Sequence, residues 1–225
     1  MKREIVKTSD GSTTIFLREM DETYHSTHGA IQEAEHIFIK NGLLPIQAGT
    51  NSSISIFEMG FGTGLNTLLT AISATSSIQY TGIEAFPVEA ELIKKLNYTE
   101  LIGQEHNALY QAIIVSGWGE KIEITAQFYL TKVEQKIQDY VMSKNEYDLI
   151  YFDAFGPRAQ AEMWDLEILK KMAEGLKPNG VLVTYCAMGQ FKRDLKSLGL
   201  SVEALPGPPG KREMTLARKV SKLQL

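Results

Sequence analysis

Three carboxylates in this sequence each end or follow an apolar run. Glu58 ends I-S-I-F-E, Glu84 ends I-Q-Y-T-G-I-E, and Asp153 follows Y-D-L-I-Y-F. Such runs predict buried strands of a parallel sheet, whose carboxyl ends meet at one edge where ligands bind. There a carboxylate can attract an ammonium group, accept hydrogen bonds from ribose hydroxyls, or take a proton from an amine. We therefore expect one site built from these three residues.

A glycine-rich turn, G-F-G-T-G at positions 60–64, separates the first run from helix-forming residues 65–71. Glycines allow positive φ and let the backbone lie against a ligand at a helix N-terminus. The pattern E-x-G-x-G-x-G differs from the dinucleotide pattern G-x-G-x-x-G because its third glycine comes one residue early. It favours S-adenosylmethionine, with Glu58 attracting the ammonium directly or through water and Glu84 binding the ribose. The alternative is a tight turn beside a solvated Glu84.

Asp153 opens the stretch D-A-F-G-P and has no cofactor hydroxyl assigned to it. Methyl transfer from a sulfonium moves positive charge onto the attacking nitrogen, so a nearby carboxylate stabilises the transition state and can accept the departing proton. The alternative is that Asp153 only caps the following turn. No metal site is expected, because the four histidines lack ligand spacing with Cys or carboxylates. They are His25, His28, His36 and His106.

Composition describes an ordinary globular chain. Its 225 residues are 44% hydrophobic and 22% charged, which allows a full core. The one cysteine, Cys186, lies in an apolar run and is expected to be a buried core residue rather than a nucleophile. No apolar stretch reaches 18 residues and a polar segment follows Met1-Lys2-Arg3, so we expect a cytoplasmic protein without a membrane span.

The net charge of −4 conceals an asymmetry. Residues 187–225 contain eight Lys or Arg against three Asp or Glu, a local charge of +5. A basic end on an acidic body suits an anionic partner such as RNA, because neutralised phosphates release counterions. The alternative is a solvated C-terminal face. The eight basic positions are Lys192, Arg193, Lys196, Lys211, Arg212, Arg218, Lys219 and Lys222.

Alternating strands and helices predict a doubly wound α/β fold with a mostly parallel sheet. The last two strands follow each other as a hairpin, so one terminal strand should be antiparallel. Residues 1–50 are expected to form an arm, with a hairpin around Ser9-Asp10-Gly11 and a helix over 29–41 capped by Gly42, and residues 51–225 the main domain. The other predicted helices are 65–74, 86–96, 99–116, 133–142, one carrying Trp164 in the core, and 189–198. The other predicted strands are 78–84, 121–130, 147–152, 181–186, 201–205 and 213–217, with a turn at 177–180.

Longer motifs along nearly the whole chain point to a known family. They are E-M-G-F-G-T-G-L-N, I-E-A-F-P, Y-F-D-A-F-G-P-R, L-K-P-N-G-V-L-V-T-Y-C-A and G-K-R-E-M, with D-E-T-Y-H-S and H-I-F-I-K-N-G-L near the N-terminus. Together they resemble the methyltransferase domain of the MnmC family, bifunctional bacterial enzymes of tRNA wobble-uridine modification with a Rossmann-like class I methyltransferase fold. The resemblance implies that S-adenosylmethionine methylates the exocyclic amine of 5-aminomethyl-2-thiouridine, giving the 5-methylaminomethyl product.

The resemblance also implies roles for single residues. It assigns the cofactor to Glu58, Gly60, Phe61, Gly62, Thr63, Gly64, Asn66 and Glu84. It makes Asp153 the carboxylate on the acceptor side. It assigns the tRNA substrate to Tyr24, Glu33, Phe155, Lys211 and Arg212.

The sequence departs from the family in three ways. We expect the oxidase domain usually fused behind this one to be absent and another enzyme to supply the amine. Many relatives have Gly-Asp after the third strand, where an acidic group meets the adenine amine, but residues 127–130 read Q-F-Y-L. The loop before Lys211 contains Pro208-Pro209 instead of a glycine-aromatic turn.

Three other functions compete with this one. A small-molecule amine methyltransferase or an aminopropyltransferase would use the same fold and acidic pocket, although the basic end would repel a polyamine. A binding module that has lost catalysis is opposed by the intact Glu58, Glu84 and Asp153. A dehydrogenase is disfavoured by the early third glycine.

Overall fold

Two β-sheets form the framework of the computed structural model, which describes residues 2–50 and 52–221. The small N-terminal sheet is antiparallel and contains β1 (Arg3–Lys7), β2 (Thr13–Leu17) and β3 (Glu22–Thr23). The large sheet contains β4 (Ile54–Met59), β5 (Ile78–Glu84), β6 (Lys121–Thr125), β7 (Phe128–Glu134), β8 (Tyr147–Phe152), β9 (Leu176–Thr184), β10 (Leu200–Pro206) and β11 (Glu213–Lys219). The predicted hairpin around Asp10-Gly11 is confirmed as β1 and β2.

The large sheet has the strand order β10-β11-β9-β8-β4-β5-β7-β6. Its five central strands, β9, β8, β4, β5 and β7, are parallel, and the chain switches direction of winding at β4. The doubly wound fold is therefore confirmed. The prediction of a single antiparallel terminal strand was too simple, because β11 pairs antiparallel with β9 inside the sheet and β6 pairs antiparallel with β7 at the other edge.

The helices lie between these strands. They are α1 (Ala30–Ala34), continued by a π-helical stretch (Glu35–Leu43) and α2 (Leu44–Ala48), then α3 (Leu65–Ser73), α4 (Ala90–Ile93), α5 (Tyr98–Ile102), α6 (Asn107–Val115), α7 (Leu166–Gly175) and α8 (Gly189–Ser197), with 3-10 turns at Gln104–His106 and Ala161–Trp164. The helix expected over 86–96 is reduced to α4. Among the described residues, no helix is long and apolar enough to cross a membrane.

Gly42 does not end the first helix as predicted. It lies inside the π-helical stretch, where a Cβ would come within 3.2 Å of Val183 and 3.3 Å of Tyr151. The glycine is required by the close approach of this helix to β9 and β8, and tertiary packing has overridden its tendency to end a helix.

Residues 99–142 differ most from the prediction. Gly103, with φ of 153°, divides the expected helix 99–116 into α5, a 3-10 turn and α6. The expected strand 121–130 is a hairpin of β6 and β7, and β7 continues to Glu134, so the helix expected over 133–142 does not form. The alternation that begins at Ile122 is interrupted by the turn at Ala126-Gln127 and resumes from Phe128 through Leu130 to Lys132. The expected turn at 177–180 begins β9, where a register shift against β8 accommodates it.

The core lies on both faces of the large sheet. On one face Ile56, Tyr80 and Tyr151 pack against the first helix, and on the other Phe57 and Ile150 pack against α7 and α8. Burial on both faces explains why the central strands are almost continuously apolar. Residues of the N-terminal arm belong to the first of these clusters and so pack on the main domain. A division of the chain near residue 50 into an arm and a main domain is our proposal. Trp164 and Cys186 are buried, as predicted.

Candidate active site

A cavity of about 680 Å³ opens at the carboxyl edge of the large sheet, where β4, β5 and β8 end. Most residues singled out from the sequence line it. They are Tyr24, Glu33, Gly60, Phe61, Gly62, Thr63, Asn66, Glu84, Asp153, Phe155 and Lys211. Gly64 ends the loop as the N-cap of α3, Glu58 is buried at the end of β4, and Arg212 is exposed outside the cavity. The topology thus unites residues from five separate parts of the chain.

The glycine loop has the left-handed conformations that its sequence predicts. Gly60, Gly62 and Gly64 have φ of 94°, 52° and 73°. A Cβ on Gly60 would lie 2.4 Å from the backbone oxygen of Asp153, so this glycine lets the ends of β4 and β8 meet. The N–H groups of Gly60 and Phe61 donate to the Ile83 carbonyl, that of Gly62 to Glu84 and that of Gly64 to the Phe61 carbonyl. The loop therefore serves mainly to let the backbone lie close to a ligand before the N-terminus of α3.

Phe61 and Thr63 are fixed between the glycines. Phe61 is buried against Gly82, where a Cβ would come within 2.7 Å of its ring. The Thr63 hydroxyl lies 3.2 Å from the hydroxyl of Tyr98, and the Tyr110 hydroxyl donates to the Thr63 carbonyl at 2.8 Å. These contacts hold the loop rigid, as a binding site on a strand-to-helix turn requires.

Glu84 faces the cavity and also braces the loop. Its Oε2 accepts a hydrogen bond from the Gly62 N–H at 3.1 Å, and its Oε1 accepts one from the Phe86 N–H at 3.0 Å. A carboxylate has about four acceptor positions, so two of its lone pairs stay free for other donors. Two ribose hydroxyls are suitable donors for this carboxylate.

Two carboxyl groups are linked through one amide beneath the loop. Asn66 Nδ2 donates to Glu58 Oε1 at 2.9 Å and to Asp153 Oδ2 at 2.8 Å. Glu58 is fully buried, and burial raises its pKa to about 8 despite hydrogen bonds from Asn66 and Thr67. Burial also raises the pKa of Asp153 to about 7, and the neighbouring Glu33 adds to the increase. Both groups therefore titrate near neutral pH, which is typical of functional sites.

The buried amide oxygen of Asn66 has no hydrogen-bond partner in the structure. A buried acceptor without a partner is costly, and it marks a position where a ligand donor would be stabilised. Because both Nδ2 protons of Asn66 are used by carboxylates, this oxygen is fixed in orientation. The α-ammonium group of a ligand is a suitable donor for this oxygen. Glu58 would then influence the ammonium through Asn66 rather than by direct contact.

The structure places Lys211 differently from the surface role implied by the sequence. Its ammonium pairs with Glu33 Oε1 and lies 4.1 Å from the ring centroid of Tyr185. Glu33 Oε2 also accepts a hydrogen bond from the Ser26 N–H at 2.8 Å, and the Tyr185 hydroxyl donates to the Ala154 carbonyl at 2.7 Å. Lys211 is therefore held inside the cavity, because the β10–β11 loop folds back onto the first helix.

The basic C-terminal segment does not form one surface. Arg218 and Lys219 lie towards the amino end of β9, where they donate to the Asn179 and Leu176 carbonyls. At the start of β11, Lys192 pairs with Glu213 at 2.7 Å. Arg212 is exposed there, beside the cavity residue Lys211. Lys222 lies outside the described residues.

Several cavity residues were missed by sequence reasoning. Arg3 donates to the Phe86 and Pro87 carbonyls, so the N-terminal hairpin closes one side of the cavity. His25 accepts from or donates to the Thr14 hydroxyl at 3.0 Å, and burial lowers its pKa to about 4, which keeps it neutral. Only the D-E-T-Y-H-S motif could have indicated His25. Within residues 2–50 and 52–221, no group of three or more His, Cys, Asp or Glu is placed to hold a metal ion.

The sequence comparison placed the end of the third strand at residues 127–130, which is too early. The third parallel strand is β7, which ends at Glu134, and the Gln135 N–H donates to the Glu84 carbonyl at 3.1 Å. Gln135 and Ile137 line the cavity next to Glu84. These residues, rather than 127–130, follow the end of the third parallel strand.

A doubly wound sheet with a glycine loop and an acidic second strand end is typical of α/β enzymes that bind a nucleoside cofactor. A family model described as S-adenosyl-L-methionine-dependent methyltransferase matches residues 104–220, just over half of the chain. The chain belongs to this family, and S-adenosylmethionine is its cofactor.

Relatives named tRNA 5-methylaminomethyl-2-thiouridine biosynthesis bifunctional protein MnmC match most of the chain. The proteins from Hydrogenovibrio crunogenus, Cupriavidus metallidurans and Cupriavidus necator are 29%, 28% and 30% identical over 88%, 96% and 88% of it. The aligned regions are 31%, 34% and 32% of those proteins, so the chain spans about a third of their length.

Two solved structures show the same fold. The crystal structure of MnmC2 from Aquifex aeolicus has a TM-score of 0.77 at 23% identity, and covers 96% of this chain and 69% of that one. Spermidine synthase from Thermotoga maritima has a TM-score of 0.57 at 16% identity with the same two coverages, 96% and 69%. At these identities the likeness concerns the fold.

Proposed function

We propose that this enzyme transfers a methyl group from S-adenosylmethionine to the exocyclic amine of 5-aminomethyl-2-thiouridine, or its oxygen analogue, at the tRNA wobble position. The names and coverage of the relatives support this proposal. The observation that carries it is the position of Asp153, a carboxylate with a pKa of about 7 in the same cavity as Glu84 and the glycine loop. Because the substrate is tRNA, the cytoplasmic location expected from the sequence belongs to the same proposal.

The cofactor supplies an electrophilic methyl group carried by a sulfonium. Its nucleoside end fits the Glu84 carboxylate, and its ammonium fits the unpartnered Asn66 amide oxygen. Asp153, joined to the other side of the same amide, is then left for the acceptor amine. Asp153 accepts a hydrogen bond from the amine, orients its lone pair, and takes the proton released after transfer.

The aromatic wall of the cavity suits a nucleobase. Tyr24 and Phe155 meet edge to face with ring centroids 5.0 Å apart, and both line the cavity on the Asp153 side. The Arg3 guanidinium donates to the Tyr24 hydroxyl at 3.3 Å, which fixes the ring. Aromatic side chains stack on single-stranded RNA bases whose edges are read by polar groups. A wobble uridine displaced from the anticodon loop is a suitable occupant.

The test is methyl transfer to defined acceptors. The purified enzyme is incubated with S-adenosylmethionine and tRNA carrying 5-aminomethyl-2-thiouridine, and its nucleosides are analysed by mass spectrometry. We expect a mass increase of one methyl on that nucleoside alone. Transfer to small amines but not to tRNA would support the second candidate, a small-molecule amine methyltransferase or aminopropyltransferase. That candidate is favoured by the six acidic residues lining the cavity, Glu22, Glu33, Glu84, Asp139, Asp153 and Glu162.

Glu84→Ala is expected to weaken S-adenosylhomocysteine binding by about 1.5–3 kcal/mol, the range for hydrogen bonds to a charged group. Isothermal titration calorimetry measures the change. Glu134→Ala is the matched control, because Glu134 is the register partner of Glu84 on β7 but does not line the cavity. Equal affinities in the two variants would reduce Glu84 to a brace for the backbone of Gly62 and Phe86.

Arg212→Ala is expected to lower the slope of log K against log salt for tRNA binding by about 0.7–0.9, as loss of one phosphate contact does. Affinity should fall equally for different tRNAs, because phosphate contacts carry no sequence information. Arg218→Ala is the comparison, since that residue lies towards the opposite edge of the sheet. If Arg218→Ala lowers the slope and Arg212→Ala does not, the RNA surface is on the other side of the molecule.

A further inference from the structure

The Glu33–Lys211 ion pair lines the cavity with Asp153, the residue proposed to bind the acceptor amine. It belongs to neither the cofactor residues nor the exposed basic surface. Glu33 comes from α1 and Lys211 from the loop before β11, and both line the cavity with Asp153. The side chains are 11% and 30% exposed, so this is a partly desolvated pair. Such pairs interact more strongly than surface pairs and fix the positions of their members.

The pair is linked through Tyr185 to the backbone next to Asp153. The Lys211 ammonium lies over the Tyr185 ring, and the Tyr185 hydroxyl donates to the carbonyl of Ala154, the residue after Asp153. Glu33 is fixed by the Ser26 N–H. The two charges therefore cannot move far from Asp153 without breaking named contacts.

The charges of Glu33, Lys211 and Asp153 determine how strongly this part of the cavity attracts a cation. Ionised Glu33 and Asp153 give two negative charges, and Lys211 gives one positive charge. A primary amine arrives largely protonated at neutral pH, since ordinary alkylammonium groups have pKa values near that of Lys. Two unopposed carboxylates would stabilise that ammonium, which has no lone pair and cannot accept a methyl group. Because Lys211 neutralises Glu33, only Asp153 carries an unopposed negative charge. That single charge still attracts the amine but allows it to lose its proton.

We propose that Glu33 and Lys211 are a pair of positioning residues that set the charge around Asp153, so that the acceptor is held there as a neutral amine. This inference rests on the proposed function for the identity of the acceptor as an amine. The step is an ordinary substitution. The ammonium first releases one proton to solvent. The nitrogen lone pair then forms the N–C bond, the S–C bond breaks with its electrons going to sulfur, and the extra proton on nitrogen passes to Asp153.

The pair predicts opposite effects from its two halves. Lys211→Met removes the positive charge, so the pKa of Asp153 should rise and the acid limb of the kcat profile should move to higher pH. Glu33→Gln removes a negative charge, so both should move to lower pH. The other ionisable groups facing this region stay in place in both variants. They are Glu58, which is linked to Asp153 by Asn66, together with Tyr185, Cys186 beside Lys211, and His25 near Glu33.

The experiment has two readouts on the full chain. The titration of Asp153 is followed by carbon-13 NMR of aspartate-labelled protein, with Asp153→Asn for assignment, and needs no substrate. Methyl transfer to the aminomethyl tRNA is followed between pH 5.5 and 9. We expect Lys211→Met and Glu33→Gln to shift the pKa of Asp153 in opposite directions by at least half a pH unit. In Lys211→Arg, and in the double variant Glu33→Gln with Lys211→Met, that pKa should lie closer to the wild-type value.

Lys177→Met is the matched control. Asp148 accepts hydrogen bonds from the Lys177 ammonium at 2.7 Å and the Ser55 N–H at 2.8 Å, as Glu33 does from Lys211 and Ser26, but this pair lies outside the cavity. It should leave the Asp153 titration unchanged. Shifts of the same sign in both halves, or none, would overturn the proposal, and a reduced salt slope for tRNA in Lys211→Met without a pH shift would make Lys211 a phosphate contact. Opposite NMR shifts without methylation of tRNA would contradict the proposed function instead.

Discussion

Asp153→Asn is expected to lower methyl transfer by about 100-fold or more, the usual contribution of a positioned acid-base group. The substitution keeps the shape of the side chain and its acceptor for Asn66 Nδ2, which lies 2.8 Å from Asp153 Oδ2. It removes the negative charge and the ability to take a proton. Single-turnover methyl transfer measures the loss, and S-adenosylhomocysteine affinity should stay within a few-fold because the cofactor side of the cavity is unaltered.

The pH dependence of the wild-type enzyme follows from the same residue. Burial raises the pKa of Asp153 to about 7, and methyl transfer needs the ionised form. The rate should therefore fall about tenfold per pH unit below pH 7. A carboxyl group with a raised pKa binds its proton better in the folded than in the unfolded state. Its contribution to stability is thus complete below about pH 4 and is lost as the pH rises to about 7.

That sign separates loss of catalysis from loss of folding. Asn stays neutral, so Asp153→Asn should unfold at no lower a temperature than the wild type at pH 8. Asp165→Asn is the control for the substitution, because Asp165 is exposed at the N-cap position of α7 and its side chain makes no capping hydrogen bond that the change could remove. If Asp153→Asn turns over at the wild-type rate, Asp153 only caps the turn that follows it.

The sequence predicted that Glu58, the glycine loop and Glu84 would lie together, because the signals for this part of the site are local. The glycine spacing, the apolar run before Glu58 and the run before Glu84 each lie within a few residues. Parallel strands then bring their carboxyl ends together without further information. The same local logic predicted the confirmed hairpin around Asp10-Gly11 and the burial of Trp164.

The acceptor half was predicted less completely because its contacts are distant in sequence. Lys211 meets Glu33 across 178 positions, and neither residue type indicates that a basic loop folds inward onto the first helix. Charge counting therefore assigned Lys211 to the surface. Position 135 was missed for a different reason: residues 133–142 were interpreted as helical, although β7 ends at Glu134 and a loop begins.

Gly60 shows how the two halves depend on each other. It begins the glycine loop on the cofactor side, and its Cα faces the backbone of Asp153 on the acceptor side. Its N–H donates to the Ile83 carbonyl at 3.1 Å, while the Asp153 N–H donates to the Met59 carbonyl at 3.0 Å. Three strand ends thus meet at a point that has no room for a side chain.

Gly60→Ala is expected to reduce methyl transfer by about 100-fold, since a displacement of about 1 Å at a reacting group can cost that much. The new Cβ would lie 2.4 Å from the Asp153 carbonyl oxygen, so β8 must move and carry Asp153 with it. The positive φ of 94° should also cost about 1–2 kcal/mol of folding stability. Methyl transfer and urea unfolding measure the two effects.

Gly119→Ala distinguishes displacement from backbone strain. Gly119 has φ of 84°, but no heavy atom lies within 4 Å of the position that a Cβ would take there, so only the strain should appear. Gly60→Ala should lose more stability than Gly119→Ala, because it adds the clash with β8 to the same strain, and only Gly60→Ala should lose activity. Should Gly60→Ala retain methyl transfer within about threefold of Gly119→Ala, the contact between the loop and β8 does not position Asp153, and the two halves of the site are independent.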